Sequence, residues 1–499
     1  MLFKRSFILV LSVFLVACGR EDDPELQSKY DEFLKKTAGQ QYVQSGDMVV
    51  YQGATLIDGN GGEVIENATL IVQGKKILAA GAGFEIPDNI KTIDVAGKWI
   101  VPGLIDAHIH FMVSGRIYTR PAMIDLQHIV PYEEELEWTK NRVPVTLRGY
   151  TCAGITSGLS AGGPLLEYEA RELAKSMDDA PTIFNAHGPT VTLPKFIAQK
   201  FFPPVFGETI PKSATTAEEG IKLVQEAASL KADAMKTAYD YSGSFLRKML
   251  QYNYKAVHEA IIAEAKKHNM KVTSHIHQLD AGKELMKLGV DSLQHLPADK
   301  MVDEEFIKLA KDNGVIVVPT LALRERSFVN SYDKQYKLLP VEKTCGDPEV
   351  IKSWFAVEDM PDVGSDRIKN ALDGVPTAFA NTKALYDGGV MLAAGTDAGL
   401  MGLIHGASLH LELKEMNAAG IPPKDLIVAA TLNAAKVAGK EDEYGSVEAG
   451  KYADFLVLSK NPLDDIGNLQ AIDLIVKHGK SFQQKDLLPP RSELACSDC

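Results

Sequence analysis

The sequence predicts an α/β fold in which a (β/α)8 TIM barrel carries a small composite β-sandwich domain formed by segments before and after it. Three observations lead there. From residue 100 onward, short apolar runs alternate with helical periodicities, and the alternation repeats eight times. Histidine, lysine and aspartate residues stand at or just past the ends of those runs, on the rim where such a barrel presents its chemistry. Glycine-punctuated strand patterns lie on both sides of this region, before Trp99 and again after Gly445.

At the N-terminus, Lys4-Arg5 and the apolar stretch 7–16 have the form of an export signal, too short for an ordinary spanning helix. The stretch ends in Leu15-Val16-Ala17-Cys18, the pattern of a bacterial lipoprotein signal cleaved before a lipid-modified Cys18. A plain secretory signal or an uncleaved anchor is the alternative. Residues 1–17 are assigned to the signal and 18–45, charged and glutamine-rich, to a tether. By the usual bacterial sorting pattern, Gly19 after the cysteine directs the anchor to the outer membrane, which implies a cell-envelope protein facing the periplasm.

Residues 46–99 form the first part of the small β domain, with strand-like pieces at 54–57, 68–72, 76–80 and 92–95 and turns at Asp58-Gly59 and Asn60-Gly61. The barrel occupies 100–440. Its strands are expected at 99–105, 155–159, 182–186, 234–237, 271–274, 292–294, 315–319 and 391–395. Helices are expected at 217–230, 254–268, 281–288, 304–313 and 382–387. Strand character returns at 445–458 and 472–477, so 441–480 completes the small domain and 481–499 is a tail. Glycine-rich 159–167 is expected to border the site. Residues 321–376 are too long for a simple βα connection and are read as a cover over the barrel mouth or a partner contact.

The formal net charge of −13 argues against nucleic acid as a partner. Besides Cys18 the chain has Cys152, Cys345, Cys496 and Cys499, which an exported protein can oxidise. Cys496 and Cys499 share a polar tail and are one candidate pair.

The candidate site is read from the strand ends. In Asp106-Ala-His-Ile-His110 the histidines are two residues apart, so on extended backbone both rings point to one side and can serve one metal ion. Lys236 ends the fourth strand, and His275, His295 and Asp397 follow the fifth, sixth and eighth. Imidazole and carboxylate ligands suit zinc, with manganese, cobalt or iron decided by geometry and availability.

Several motifs together resemble the amidohydrolase superfamily. They are Val101-Pro-Gly-Leu-Ile-Asp-Ala-His-Ile-His110, Ser292-Leu-Gln-His295, Gly395-Thr-Asp397, Ala429-Ala-Thr-Leu-Asn-Ala-Ala435 and Gly445-Ser-Val-Glu-Ala-Gly-Lys-Tyr-Ala-Asp454. Within the superfamily, the chain resembles the imidazolonepropionase-related and Xaa-Pro dipeptidase-like metal hydrolases over residues 48–480. The resemblance implies two divalent ions, with His108, His110 and Asp397 on the more buried one and His275 and His295 on the second. It implies that Lys236 is carboxylated and bridges them. A free ammonium is no ligand, whereas a carbamate offers two oxygens to ions roughly 3.5–4 Å apart. A mononuclear site without the lysine is the rival arrangement.

The resemblance further implies amide hydrolysis by a metal-activated hydroxide, with Asp397 taking the proton and returning it to the leaving amine. His187, in Asn185-Ala-His-Gly188 where relatives carry Gly-Gly-His, would hydrogen-bond the substrate carbonyl. Tyr239 and His405 would contact substrate, and Arg116 is a candidate for its carboxylate. His277 is expected beside His275 but outside the ligand set. The favoured substrate is a dipeptide, Xaa-Pro among them, or an N-acyl amino acid. A cyclic amide, imidazolone, lactone or organophosphate ester is the enzymatic alternative, and a lipoprotein that binds a ligand without turnover is the non-enzymatic one. Self-association is a family-based expectation.

Overall fold

The computed structural model describes residues 48–487 except 85, 87–89, 120–124, 197–203, 240–253, 324–335 and 358–364. The export signal, the tether, Cys18, Cys496 and Cys499 lie outside the described residues. Among the described residues, no helix is long and apolar enough to cross a membrane.

Five strands open the chain: β1 (Met48–Leu56), β2 (Ile65–Gln73), β3 (Lys76–Gly81), β4 (Lys91–Asp94) and β5 (Trp99–Pro102). The barrel strands follow: β6 (Leu104–Ile109), β7 (Ile155–Ser160), β8 (Thr182–Val191) with the short β9 (Lys212–Ser213) beside it, β10 (Ala234–Ala238), β11 (Lys271–His275), β12 (Ser292–Gln294) and β13 (Ile316–Val318). The last three are β14 (Phe455–Leu458), β15 (Ile472–Lys477) and β16 (Lys480–Phe482). Helices α1 (Tyr132–Cys152), α2 (Leu166–Ser176), α3 (Ala217–Ser229), α4 (Tyr254–Lys267), α5 (Leu279–Leu288) and α6 (Glu304–Asp312) alternate with the barrel strands. Beyond β13 come α7 (Pro340–Cys345), α8 (Pro348–Ser353), α9 (Ser365–Asp387), α10 (Ser408–Ala418), α11 (Pro423–Ala429) and α12 (Leu432–Val437). Side-chain oxygens start several of them. Thr216 and Glu219 form a capping box on α3, and Asp303 accepts from Phe306 N at α6.

The barrel strands pair in parallel and in chain order from β6 to β13. The eighth position is filled by residues 391–398, which form single bridges rather than a regular ladder. On one side Val317 N donates to Met391 O and Ala393 N to Val317 O, both at 3.0 Å. On the other, Ala107 N donates to Ala394 O at 3.0 Å and Asp397 N to His108 O at 2.8 Å. Ile105, Ala107, Leu159, Phe184, Ala186, Ala234, Ile316, Val318 and Ala393 fill the interior. Ala434, Ala435 and Val437 of α12 pack against them, so the motif at 429–435 is a plug and supplies no chemistry.

The segments expected to form a β-sandwich hydrogen-bond into one eight-stranded mixed sheet. The run 99–105, read as the first barrel strand, divides at Gly103. Residues 99–102 are β5, between β1 and β14, and only Leu104–Ile109 enters the barrel. A Cβ on Gly103 would lie 2.2 Å from Thr156 Oγ1, so the crossing between the two sheets admits no side chain. The motif ending at Asp454 is also structural. Its carboxylate meets the buried Lys477 Nζ at 2.7 Å, and that amine reaches Thr182 Oγ1 at 2.8 Å at the start of β8.

A disulfide joins Cys152, at the end of α1, to Cys345, at the end of α7. Nothing in the sequence paired these two, which are 193 residues apart. Glu412 of α10 is wholly buried and accepts from Ala322 N at 2.7 Å, and burial lifts its carboxyl to about 8. An acid whose folded pKa exceeds its unfolded value costs stability as pH rises through the unfolded value, and the cost is complete at the folded one. Glu412→Gln is therefore expected to gain on the wild type between about pH 4.3 and pH 8, by up to about 1.4 kcal/mol per pH unit. Thermal melts at pH 5 and pH 8 measure this. A margin that does not grow with pH would show that Glu412 is ionised in the fold.

Candidate metal centre

β6 brings His108 and His110 to the barrel mouth. Its pairing with β7 shifts register between Asp106 and Ile109, and the two histidine Nε2 atoms lie 3.3 Å apart. Lys236 shares its face of β10 with the interior residue Ala234, and its Nζ is 3.4 Å from His108 Nε2. His295, just past β12, places Nε2 3.7 Å from Asp397 Oδ2. Asp397 Oδ1 is 3.5 Å from His108 Nε2 and 3.4 Å from His110 Nε2. His275, the last residue of β11, has its ring centroid 4.6 Å from that of His295. All six residues that the sequence proposed as ligands thus stand at one end of the barrel. Among the described residues, His108, His295 and Asp397 form one metal-binding cluster, with ligand atoms within 4.8 Å of one another.

Hydrogen bonds behind the rings set their tautomers. His110 Nδ1 lies 2.7 Å from Gly162 O, and a carbonyl only accepts, so Nδ1 carries the proton. Thr320 Oγ1 donates to Pro319 O at 2.7 Å and so accepts from His295 Nδ1 at 2.6 Å. In both rings the Nε2 lone pair is left for the centre, as metal ligation requires. His295 and Asp397 hold left-handed backbone, at φ 69° and 62°. This conformation is strained for residues with a side chain and is kept only where the surroundings impose it.

The electrostatics fit a cation. Burial, with Lys236 and other rings nearby, pushes His110 down to about 3 and His108 and His295 well below the usual imidazole value. The rings therefore stay neutral at physiological pH, with lone pairs converging. Burial also depresses the Lys236 ammonium and raises the Asp397 carboxyl, each partly offset by the other's charge, and His277 helps to lower Asp397. Neutral imidazoles, a carboxylate and a near-neutral amine crowded together are a donor set that a divalent ion would satisfy. His108, His295 and Asp397 can hold it, with His110 at the same carboxylate.

The structure places four of the other candidates elsewhere. His187 pairs with Met235 rather than sharing the interior face of Phe184 and Ala186. Its ring lies between strand and helices, with Nδ1 2.9 Å from Tyr168 Oη and Nε2 3.6 Å from Glu226 Oε1. Tyr239 stacks on Tyr254 of α4, and its hydroxyl donates to Glu284 of α5 at 2.5 Å. His405 donates from Nε2 to Val113 O at 2.8 Å and accepts from Tyr150 Oη at 2.9 Å, bracing the loop after His110. Arg116 is paired with Glu135 at 2.8 Å. His277 is at the centre, its ring 4.5 Å from that of His275.

Two supporting carboxylates escaped the sequence reading. Asp106 accepts from His108 N (3.1 Å), Thr396 N (3.0 Å) and Thr396 Oγ1 (2.7 Å), joining the two ligand segments across the barrel seam. Its place two residues before His108 was the signal for it. Glu167 accepts from Phe111 N (3.0 Å), Met112 N (2.8 Å) and Ser160 Oγ (2.7 Å), which fixes the chain just after His110. Only the glycine-rich stretch before it pointed there.

A barrel whose strand ends gather histidines, a lysine and an aspartate around one metal-binding cluster defines a class of metal-dependent hydrolase acting on carbon–nitrogen bonds, and the chain belongs to the Amidohydrolase family, whose sequence model matches residues 99–482. Ochratoxinase from Aspergillus niger is 24% identical over 472 residues, covering 88% of each chain. Imidazolonepropionase from Shouchella clausii is 24% identical over 474 residues, covering 86% of this chain and 88% of its own. The crystal structure of a Xaa-Pro dipeptidase with bound methionine in the active site shares the fold. It matches with a TM-score of 0.67 at 24% identity, over 87% of this chain and 100% of that one.

Asp106→Asn would turn an amide N–H toward donors that the carboxylate now accepts. Metal affinity is expected to fall about 10–100-fold, as when other outer partners of ligands are lost. Competition with a chromophoric chelator measures it, and an unchanged affinity would mean that the ligand segments keep their places without Asp106.

Proposed function

We propose that this protein hydrolyses the amide bond of a dipeptide or an N-acyl amino acid, using two divalent ions, zinc by ligand type, bridged by a carboxylated Lys236. The observation that carries the reading is Lys236 itself. It is a buried primary amine on the barrel's inner face, 3.4 Å from a ligand nitrogen, with its ammonium form disfavoured. An unprotonated amine adds carbon dioxide and releases a proton, and the carbamate would supply oxygens to a second ion held beside His275. The Xaa-Pro dipeptidase is, by its name, a dipeptide hydrolase, and its likeness in fold supports the substrate class.

The ions, when bound, would polarise the substrate carbonyl and lower the pKa of water. The chain's own part falls to Asp397. Burial raises its carboxyl toward neutrality, so it can take a proton from the attacking water and return it to the leaving nitrogen. Water is thereby added across the C–N bond, giving an acid and an amine. His110 and His295, their tautomers fixed from behind, hold their lone pairs on the ligand side throughout.

We place the protein in an oxidising envelope compartment, anchored through Cys18. The Cys152–Cys345 disulfide is of the kind that persists in an oxidising compartment.

Purified protein supplied with Zn2+ and bicarbonate should cleave members of a dipeptide and N-acyl amino acid panel, with products identified by mass. Lys236→Ala should lose at least about 10³-fold in kcat/KM (about 4 kcal/mol of transition-state stabilisation) and recover in part with added acetate or propionate. Protein equilibrated with 13C-bicarbonate should show a carbamate resonance. Turnover of imidazolones or lactones without any amide turnover would sink the substrate assignment. One ion per chain and no carbamate would sink the bridged centre.

A further inference from the structure

With His187 on the outer side of β8, the barrel mouth lacks the imidazole that the sequence assigned to the substrate carbonyl. Another imidazole stands where that role requires one. After β11 the chain continues for two residues: Ile276 N donates to Gln294 O at 3.0 Å, and His277 O accepts from Ala298 N at 3.0 Å. The Ile276 side chain is fully buried in the outer core with Val272. By alternation His275 and His277 face the other way, inward, with His277 two residues further along the chain toward the mouth. The rings bear this out. His277 lies 4.5 Å from His275 and 5.1 Å from His295, its plane within 9° of the latter. His108, His295 and Lys236 are almost completely buried, whereas His277, like His110 and His275, is half-buried. With its ring stacked on that of His295, His277 lies against the ligand cluster at the barrel end where folds of this kind receive substrate.

We propose that His277 is a catalytic residue that touches substrate: its ring N–H donates to the acyl carbonyl oxygen and stabilises the negative charge that develops there as water adds. This rests on the amide-hydrolysis reading for its substrate class, and on the geometry of this chain for the residue. A preset donor aimed at such an oxygen is worth about 10²–10³-fold in kcat.

His277→Ala and His277→Gln, made in the full-length protein, test it. Both should purify with the wild-type content of metal. The alanine variant should lose about 10²–10³-fold in kcat on the best amide of the panel, with KM changing much less, and glutamine, whose amide can donate in place of the ring, should restore part of the loss. Independently of turnover, acetohydroxamate should bind Co2+-loaded His277→Ala at least tenfold more weakly than the Co2+-loaded wild type, read from the visible d–d bands. Loss of metal in His277→Ala would overturn the proposal by making His277 a ligand. Wild-type kcat together with wild-type hydroxamate affinity would overturn it as well. If the wild type cleaves no amide at all, the substrate reading fails, and the hydroxamate comparison alone decides His277.

Discussion

The buried Asp106 carboxylate is the interaction on which both the barrel's closure and its metal centre depend. Seven strands pair in order, but the eighth segment makes only isolated bridges to its neighbours. At that seam, Asp106 on β6 accepts from the backbone of its own strand and from the N–H and hydroxyl of Thr396 opposite. Burial lifts its pKa to about 7, and the same donors oppose the rise. The residues immediately beyond these contacts are His108 and Asp397, joined directly by Asp397 N to His108 O. Gly395 allows the approach, since a Cβ there would meet Val318 Cγ1 at 2.6 Å and His108 N at 3.0 Å. Closing the barrel and setting the carboxylate against the imidazoles are one event.

Much of the architecture was legible because the barrel strands are buried on both sides and read as plain apolar runs. The residues that gather at the barrel mouth were legible too, since each ends or follows such a run. What failed to read through was anything decided by a single residue of register. A one-residue step reverses the face of a strand residue. Phe184 and Ala186 point inward, so His187 points out, and Met235 carries Tyr239 outward in the same way. The same parity, already visible in its strand spacing from His275, turns His277 inward. Gly103 was hidden because an apolar run carries no mark of where one sheet ends and the next begins. The disulfide was hidden because its partners meet only through the tertiary fold.

The long segment after β13 can now be given a mechanical role in its described part. α8 and the residue after it grip the loop that follows His110: Trp354 Nε1 donates to Gly115 O at 2.7 Å, and Ile117 N donates to Ser353 Oγ at 3.1 Å. Arg142 of α1 binds Asp347 through Nε and Nη2 at 2.5 and 3.0 Å, close to the Cys152–Cys345 bridge. His405 and Glu167 hold the same loop from other sides. A ligand loop braced from so many directions has little freedom to adjust, and this suits a centre in which shifts of a fraction of an ångström alter the chemistry.

The composite sheet carries a consequence for how the molecule is made. β5 takes β1 on one edge and β14 on the other, and β14 belongs to the last tenth of the chain. During synthesis the N-terminal strands therefore wait with an unsatisfied edge while the whole barrel is produced. An open edge of this kind invites pairing with other chains. If the protein crosses a membrane unfolded, the wait continues on the far side. The final strands then complete the sheet: a chain truncated before residue 455 keeps His108, His295 and Asp397 yet leaves the β5 edge open to pairing with other chains.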